Sequence, residues 1–238
     1  MQTVDHLDKT GLVAKYTGHG VETSAIEEVN HVWRGEPLSE LVGAPGGFDW
    51  IIASHVIEHV PDLVGFLREC ERLLTADGVL SLAIPDKRYC FDHLRPHTST
   101  GEALQAFLEG RTRHPPGLVF DYFASAVKRS GDIAWQAGSR GGLEAVHSVE
   151  QAWAQCQAAS APGADYLDLH AWRLTPASFR LIVGDLRRLG LLDLGILSEI
   201  DTVGFEFFVS MRRDGLAPPP DRVALALEIG RELAAAAR

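Results

Sequence analysis

One stretch, residues 48–84, limits the fold of this chain more than any other. Residues 48–53 read Phe-Asp-Trp-Ile-Ile-Ala, a short apolar run rich in aromatic and β-branched side chains. A run of that length bounded by turn signals reads as a buried strand. Pro61 and Asp62 then open a helix. Leu63, Phe66, Leu67, Cys70, Leu73 and Leu74 recur at steps of three and four, which gathers them on one face. A proline suits the first turn, and Asp77-Gly78 ends the segment. Residues 79–84, Val-Leu-Ser-Leu-Ala-Ile, form a second buried strand that Pro85 stops. A strand, a helix and a strand joined by short turns make a βαβ unit, so the sheet is parallel there and the fold is α/β.

The flanking segments extend this unit. Residues 2–4 are a short extended run ending in Asp5, and residues 9–16 suit a short helix. Residues 26–32 read as a strand, and 38–42 as a helical turn before the Gly-Ala-Pro-Gly-Gly breaker at 43–47. From 86 to 170 the pattern loosens into three helical patches, near 102–108, 118–127 and 143–158. Prolines and glycines separate them, so this region reads as an insertion over one end of the sheet. Thr175-Pro176 is a cap followed by a first-turn proline, and a helix follows as far as Gly190. Residues 191–197 and 204–211 read as strands that pair antiparallel. A proline run at 218–220 starts a terminal helix over 221–237. The expected organisation is one domain over 1–215, with the insertion at about 86–170, and a C-terminal helix over 216–238.

Composition narrows the function classes. The 238 residues carry 32 acidic and 22 basic side chains, a formal charge of −10. That balance repels phosphate backbones and argues against nucleic acid as a partner. Cys70, Cys90 and Cys156 stand far apart and form no CxxC pair, which argues against a disulfide framework and a thiolate metal site. No apolar run is long enough to cross a bilayer, and the N-terminus lacks the basic and apolar regions of a secretory signal. The expectation is a soluble cytoplasmic protein with no membrane partner.

The element order resembles that of the class I S-adenosylmethionine-dependent methyltransferases, a Rossmann-like fold whose sheet ends in an antiparallel strand pair. Local wording carries the resemblance. Phe-Asp-Trp-Ile-Ile-Ala-Ser-His-Val-Ile-Glu-His-Val-Pro-Asp at 48–62 is similar to that family's fourth strand and the loop after it. Leu-Leu-Thr-Ala-Asp-Gly-Val-Leu at 73–80 resembles its turn into strand five. Residues 170–179 and 204–208 resemble its distal segments. The resemblance implies S-adenosylmethionine as cofactor, with Asp5 at the ribose hydroxyls and Asn30 at the adenine. It places Ser54 and His55, at the carboxyl end of a strand, beside the cofactor's amino-acid end. His59 is the candidate catalytic base, since imidazole exchanges protons near neutral pH. The family's first strand and the Gly-rich loop after it have no counterpart. The chain is therefore expected to begin at strand two, N-terminally incomplete, with cofactor binding weakened or lost.

The expected reaction is methyl transfer to a small-molecule or sugar acceptor chosen by the insertion. His93, His97, His114, His147 and His170 lie in or beside that insertion as further proton acceptors. A non-catalytic interaction or scaffold domain is the alternative, with a partner or a second copy covering the incomplete sheet. His-Val-Ile-Glu-His at 55–59 also matches the H-x-x-E-H string of zinc peptidases, a remote alternative. That chemistry needs both His on one helical face, and Pro61 leaves room for about one turn. No metal is expected on this reading.

Overall fold

The computed structural model describes residues 1–18, 22–215 and 221–236. The βαβ unit forms as expected. Strand β3 (Phe48–Ser54) leads to helix α3 (Leu63–Leu73), and β4 (Leu74–Pro85) returns parallel to β3. Asp62 caps α3, its Oδ1 accepting from the Gly65 N–H at 2.9 Å. The expected apolar face of α3 is buried, with Leu63, Leu67 and Cys70 at most 1% exposed.

Chain order supplies β1 (Val4–Asp5), α1 (Lys9–Tyr16), β2 (His31–Val32) and α2 (Leu38–Val42) before that unit. After it come α4 (Thr100–Glu109), α5 (Pro116–Ser125), β5 (Val127–Arg129), β6 (Leu143–Ala145) and α6 (Val149–Ala159). The chain closes with α7 (Pro176–Arg188), β7 (Gly195–Val203), β8 (Glu206–Arg212) and α8 (Arg222–Ala236). The main sheet has the order β3-β4-β8-β7, with β8 antiparallel to both neighbours. This is a Rossmann-like α/β sheet with the terminal antiparallel pair. Strands β1 and β2 pair parallel in a separate two-stranded sheet, and among the described residues no strand joins them to β3.

Leu80, Leu82 and Ile84 of β4 and Phe207, Val209 and Met211 of β8 face α3 and α7, each 2% exposed or less. Among the described residues the other face carries no such cover. Trp50, Ile52 and Ile200 are 59%, 76% and 59% exposed there. Helix α8 packs on α7 through Ala177, Leu225 and Ile229, with Arg180 paired to Glu228. No helix among the described residues is long and apolar enough to cross a membrane.

Four boundaries differ from the sequence reading. The strand expected over 26–32 shrinks to His31–Val32, because its partner β1 is only two residues long. Strand β4 starts five residues before Val79, since Leu74 already pairs with Phe48. The patch at 143–158 opens as β6 of a hairpin with β5, and its helix waits for the capping box of Ser148 and Gln151. Residues 191–194 are not strand, and the Asp193 N–H is held by Glu71 of α3 at 3.0 Å. The expected start of the terminal helix at 218–220 lies outside the described residues.

Candidate functional site

The carboxyl ends of β1, β3 and β4 meet the segments 86–95 and 166–173, and a connected set of charged side chains fills the junction. It starts at Asp5, the last residue of β1. Asp5 Oδ1 lies 2.7 Å from the His6 backbone N–H and 2.7 Å from its ring Nδ1. His6 Nε2 stands 3.2 Å from Lys15 Nζ on α1, and Lys15 donates to Asp168 Oδ2 at 2.6 Å. The other oxygen, Asp168 Oδ1, is 2.8 Å from His59 Nδ1.

His59 belongs to the loop after β3, which is a turn stitched to the segment before α7. The Glu58 carbonyl accepts from the Ala171 N–H at 2.7 Å, and the His59 carbonyl accepts from Tyr166 Oη at 3.0 Å. Trp172 Nε1 donates to the Val60 carbonyl at 2.6 Å. These bonds bury the Glu58 side chain to 1% exposure, with neither carboxylate oxygen hydrogen-bonded. Three histidines surround it. His55 Nδ1, His59 Nε2 and His170 Nε2 lie 3.5, 3.6 and 3.9 Å from Glu58 Oε1. His170 Nδ1 in turn meets Asp92 Oδ2 at 2.7 Å, and Arg95 donates to Asp92 Oδ1 at 2.6 Å.

Burial raises the Glu58 pKa, against the pull of the neighbouring histidines. Burial pulls His59 down, but the Asp168 hydrogen bond and the Glu58 and Asp168 charges outweigh it, so its pKa is raised. The His59 hydrogen bond, seconded by Lys15, holds Asp168 well below the usual carboxylate range. Asp92 is lowered because His170 and Arg95 outweigh its burial.

Of the residues singled out from sequence, Asp5, His55 and His59 converge here. Ser54 ends β3 and is exposed. His55 carries φ of 51°, rare for a residue with a side chain. That backbone turns its Nε2 toward Glu206 of β8, at 2.7 Å. Asn30 lies apart from the cluster. Its Oδ1 accepts from the Thr3 backbone N–H at 2.8 Å, so the side chain clamps β1 to β2. The residues sequence reasoning passed over are Asp168, Asp92 and the central role of Glu58. Residues 55–60 form no helix, so the zinc-peptidase string lacks the helical face it needs.

Asp5 stands at a strand's carboxyl end with its side chain 37% exposed, which suits a pair of ribose hydroxyls. Among the described residues no Gly-rich turn leads from a strand into a helix beside it. No curated protein matches the chain. Residues 5–82, from β1 to β4, match the family described as a methyltransferase domain. Together with the parallel β3-β4 pair and the antiparallel β8, this match supports the class I S-adenosylmethionine-dependent methyltransferase family for residues 5–82.

Proposed function

We propose that this methyltransferase-family chain transfers the methyl group to a hydroxyl of a small-molecule or sugar acceptor, at the junction built around His59. The observation that carries the reading is the convergence of Asp5, at the end of β1, with His59, after β3, through Lys15 and Asp168. One residue faces the cofactor side and the other the acceptor side of a single network. S-adenosylmethionine, when bound, supplies the methyl group. Asp5 holds the ribose. His59, oriented by Asp168, stands where the acceptor's proton leaves, and its side chain is still 26% exposed. The segment 86–170 lies over this end of the sheet and selects the acceptor.

Calorimetric titration tests the cofactor half, and transfer of labelled methyl to a panel of sugars and small hydroxyl compounds tests the acceptor half. Saturable binding weakened about 10-fold or more by Asp5→Ala is expected. His59→Ala should cut transfer about 100-fold or more while leaving cofactor affinity in place. Absence of binding, or binding without transfer to any hydroxyl compound, rejects the reading.

The scaffold alternative is favoured by one observation, the uncovered apolar sheet face of Trp50, Ile52 and Ile200. Apolar patches of that kind mark interaction surfaces. A chain that neither binds the cofactor nor runs as a monomer in light scattering would support it.

A further inference from the structure

The core of the junction holds a buried carboxylate without a hydrogen bond, faced by two imidazoles. His59 and His170 each present Nδ1 to a carboxylate, Asp168 at 2.8 Å and Asp92 at 2.7 Å. A neutral imidazole in that arrangement keeps its proton on Nδ1, so Nε2 offers a lone pair. Both Nε2 atoms lie within 4 Å of Glu58 Oε1, which is itself an acceptor when ionised. With both rings neutral, one ligand atom from each of the three residues is a lone-pair donor, and these atoms lie within 4.8 Å of one another. A proton on Glu58 does not bridge them, because 3.6 and 3.9 Å exceed hydrogen-bond reach. Glu58 is 1% exposed with both oxygens unpartnered, so water does not compensate it from bulk.

From this geometry we infer that Glu58, His59 and His170 are the protein ligands of a divalent transition-metal ion of the zinc class. Ligand atoms at about 2.0–2.1 Å from a tetrahedral ion stand about 3.4 Å apart, close to the spacings here. Two imidazoles and one carboxylate are the donor set of an open catalytic site, with a fourth position left for a water or a substrate oxygen. Asp168 and Asp92 are the outer carboxylates that fix ring orientation in such sites. Arg95 locks Asp92 in turn, at 2.6 Å. The rings of His59 and His170 stand edge to face, with planes at 88° and centroids 4.7 Å apart. The opening lies on the side of His59, the most exposed of the three ligands.

This ligand set differs from the one the H-x-x-E-H string implies. His55 is turned to Glu206, and Glu58 is a ligand rather than a base. The inference rests on the methyl-transfer reading only for what the fourth position holds, namely the acceptor oxygen. An ion there would acidify a coordinated hydroxyl, whose proton would pass to solvent water on the open side at His59; His59 would then hold the ion, which replaces the proton-accepting role given to it above.

The test measures metal without cofactor or acceptor, so its outcome is separate from that of methyl transfer. The chain is stripped with a chelator, then titrated with Zn²⁺ against a chromophoric competitor. One equivalent is expected to bind. Glu58→Gln, His59→Ala and His170→Ala should each weaken it about 100-fold or more, and Asp92→Asn about 10- to 100-fold. His147→Ala should leave it unchanged. Co²⁺ added to the unmutated chain keeps the test valid where a variant does not fold. Intense four-coordinate visible bands without a thiolate charge-transfer band are expected. No stoichiometric zinc overturns the inference, as does a Co²⁺ spectrum with thiolate bands. So does loss on His55→Ala matched by none on His170→Ala.

Discussion

Asp168 joins two parts of the fold that the chain keeps far apart: its Oδ1 meets His59 Nδ1 at 2.8 Å, and its Oδ2 meets Lys15 Nζ at 2.6 Å. One carboxylate thus ties α1 and the loop after β3 to the segment before α7. Replacing it strands a partly buried imidazole and an ammonium group. Asp168→Ala is expected to lower stability by about 1–2 kcal/mol, at the modest end because the side chain is one-third exposed. Urea unfolding measures this. A midpoint equal to that of the parent would mean the three-way contact carries no net energy.

The strongest local signals in the sequence were the ones the structure reproduced most closely. Helix α1 and strand β3 appear within a residue of the expected ends, and the apolar face of α3 is the buried one. Alternation and three-to-four spacing are local, so they survive without tertiary information. The site was legible only in part. Asp5, His55 and His59 sit where strand ends bring loops together, a rule that applies to any α/β sheet. Asp168 and Asp92 were not legible, because they work through contacts across the insertion and no spacing marks them. Asn30 shows what spacing conceals in the other direction, since its side chain clamps Thr3, the residue before β1.

Gly78 illustrates a residue whose reason the sequence concealed. It reads as a turn glycine, yet it lies inside β4, beside the shift in register with β3. A Cβ there would come within 2.9 Å of both the Phe48 carbonyl oxygen and Leu74 Cδ2. The carbonyl belongs to a paired strand and has little room to move. Gly78→Ala is therefore expected to cost about 1–3 kcal/mol, the range for overpacking a filled interior. Thermal unfolding checks this, and a variant as stable as the parent would show that β3 shifts freely.

His114 should make the fold sensitive to mild acid. It is 5% exposed, and neither ring nitrogen has a hydrogen-bond partner of ordinary geometry. Burial pushes its pKa down to about 4. The unfolded chain takes up this proton near pH 6.5, the folded chain only near 4. The neutral ring is therefore fully compatible with the fold above about pH 6.5. Stability falls as pH drops from there toward 4, by about 3 kcal/mol in all. His114→Phe removes the titration and should be neutral or stabilising, with a flatter profile. Urea midpoints at pH 7.5 and 5 decide it, and equal slopes in the two proteins would assign the acid sensitivity elsewhere.

The two sheets should differ in stability as they differ in pairing. Strands β1 and β2 are two residues each and, among the described residues, pair only with one another. Their hold is the Thr3–Asn30 clamp and the contacts of Asp5 and Lys15. Strand β4, by contrast, is paired on both sides and covered by α3 and α7. A two-stranded pair of that length is marginal without other support. Local opening without global unfolding is the consequence. Amide hydrogen exchange should show the N–H groups of residues 31–33 exchanging far faster than those of 80–84. Asn30→Ala should speed 31–33 further and leave 80–84 unchanged. Equal protection in the two sheets would mean that β1 and β2 are held by packing as firmly as the main sheet, and that the clamp is incidental.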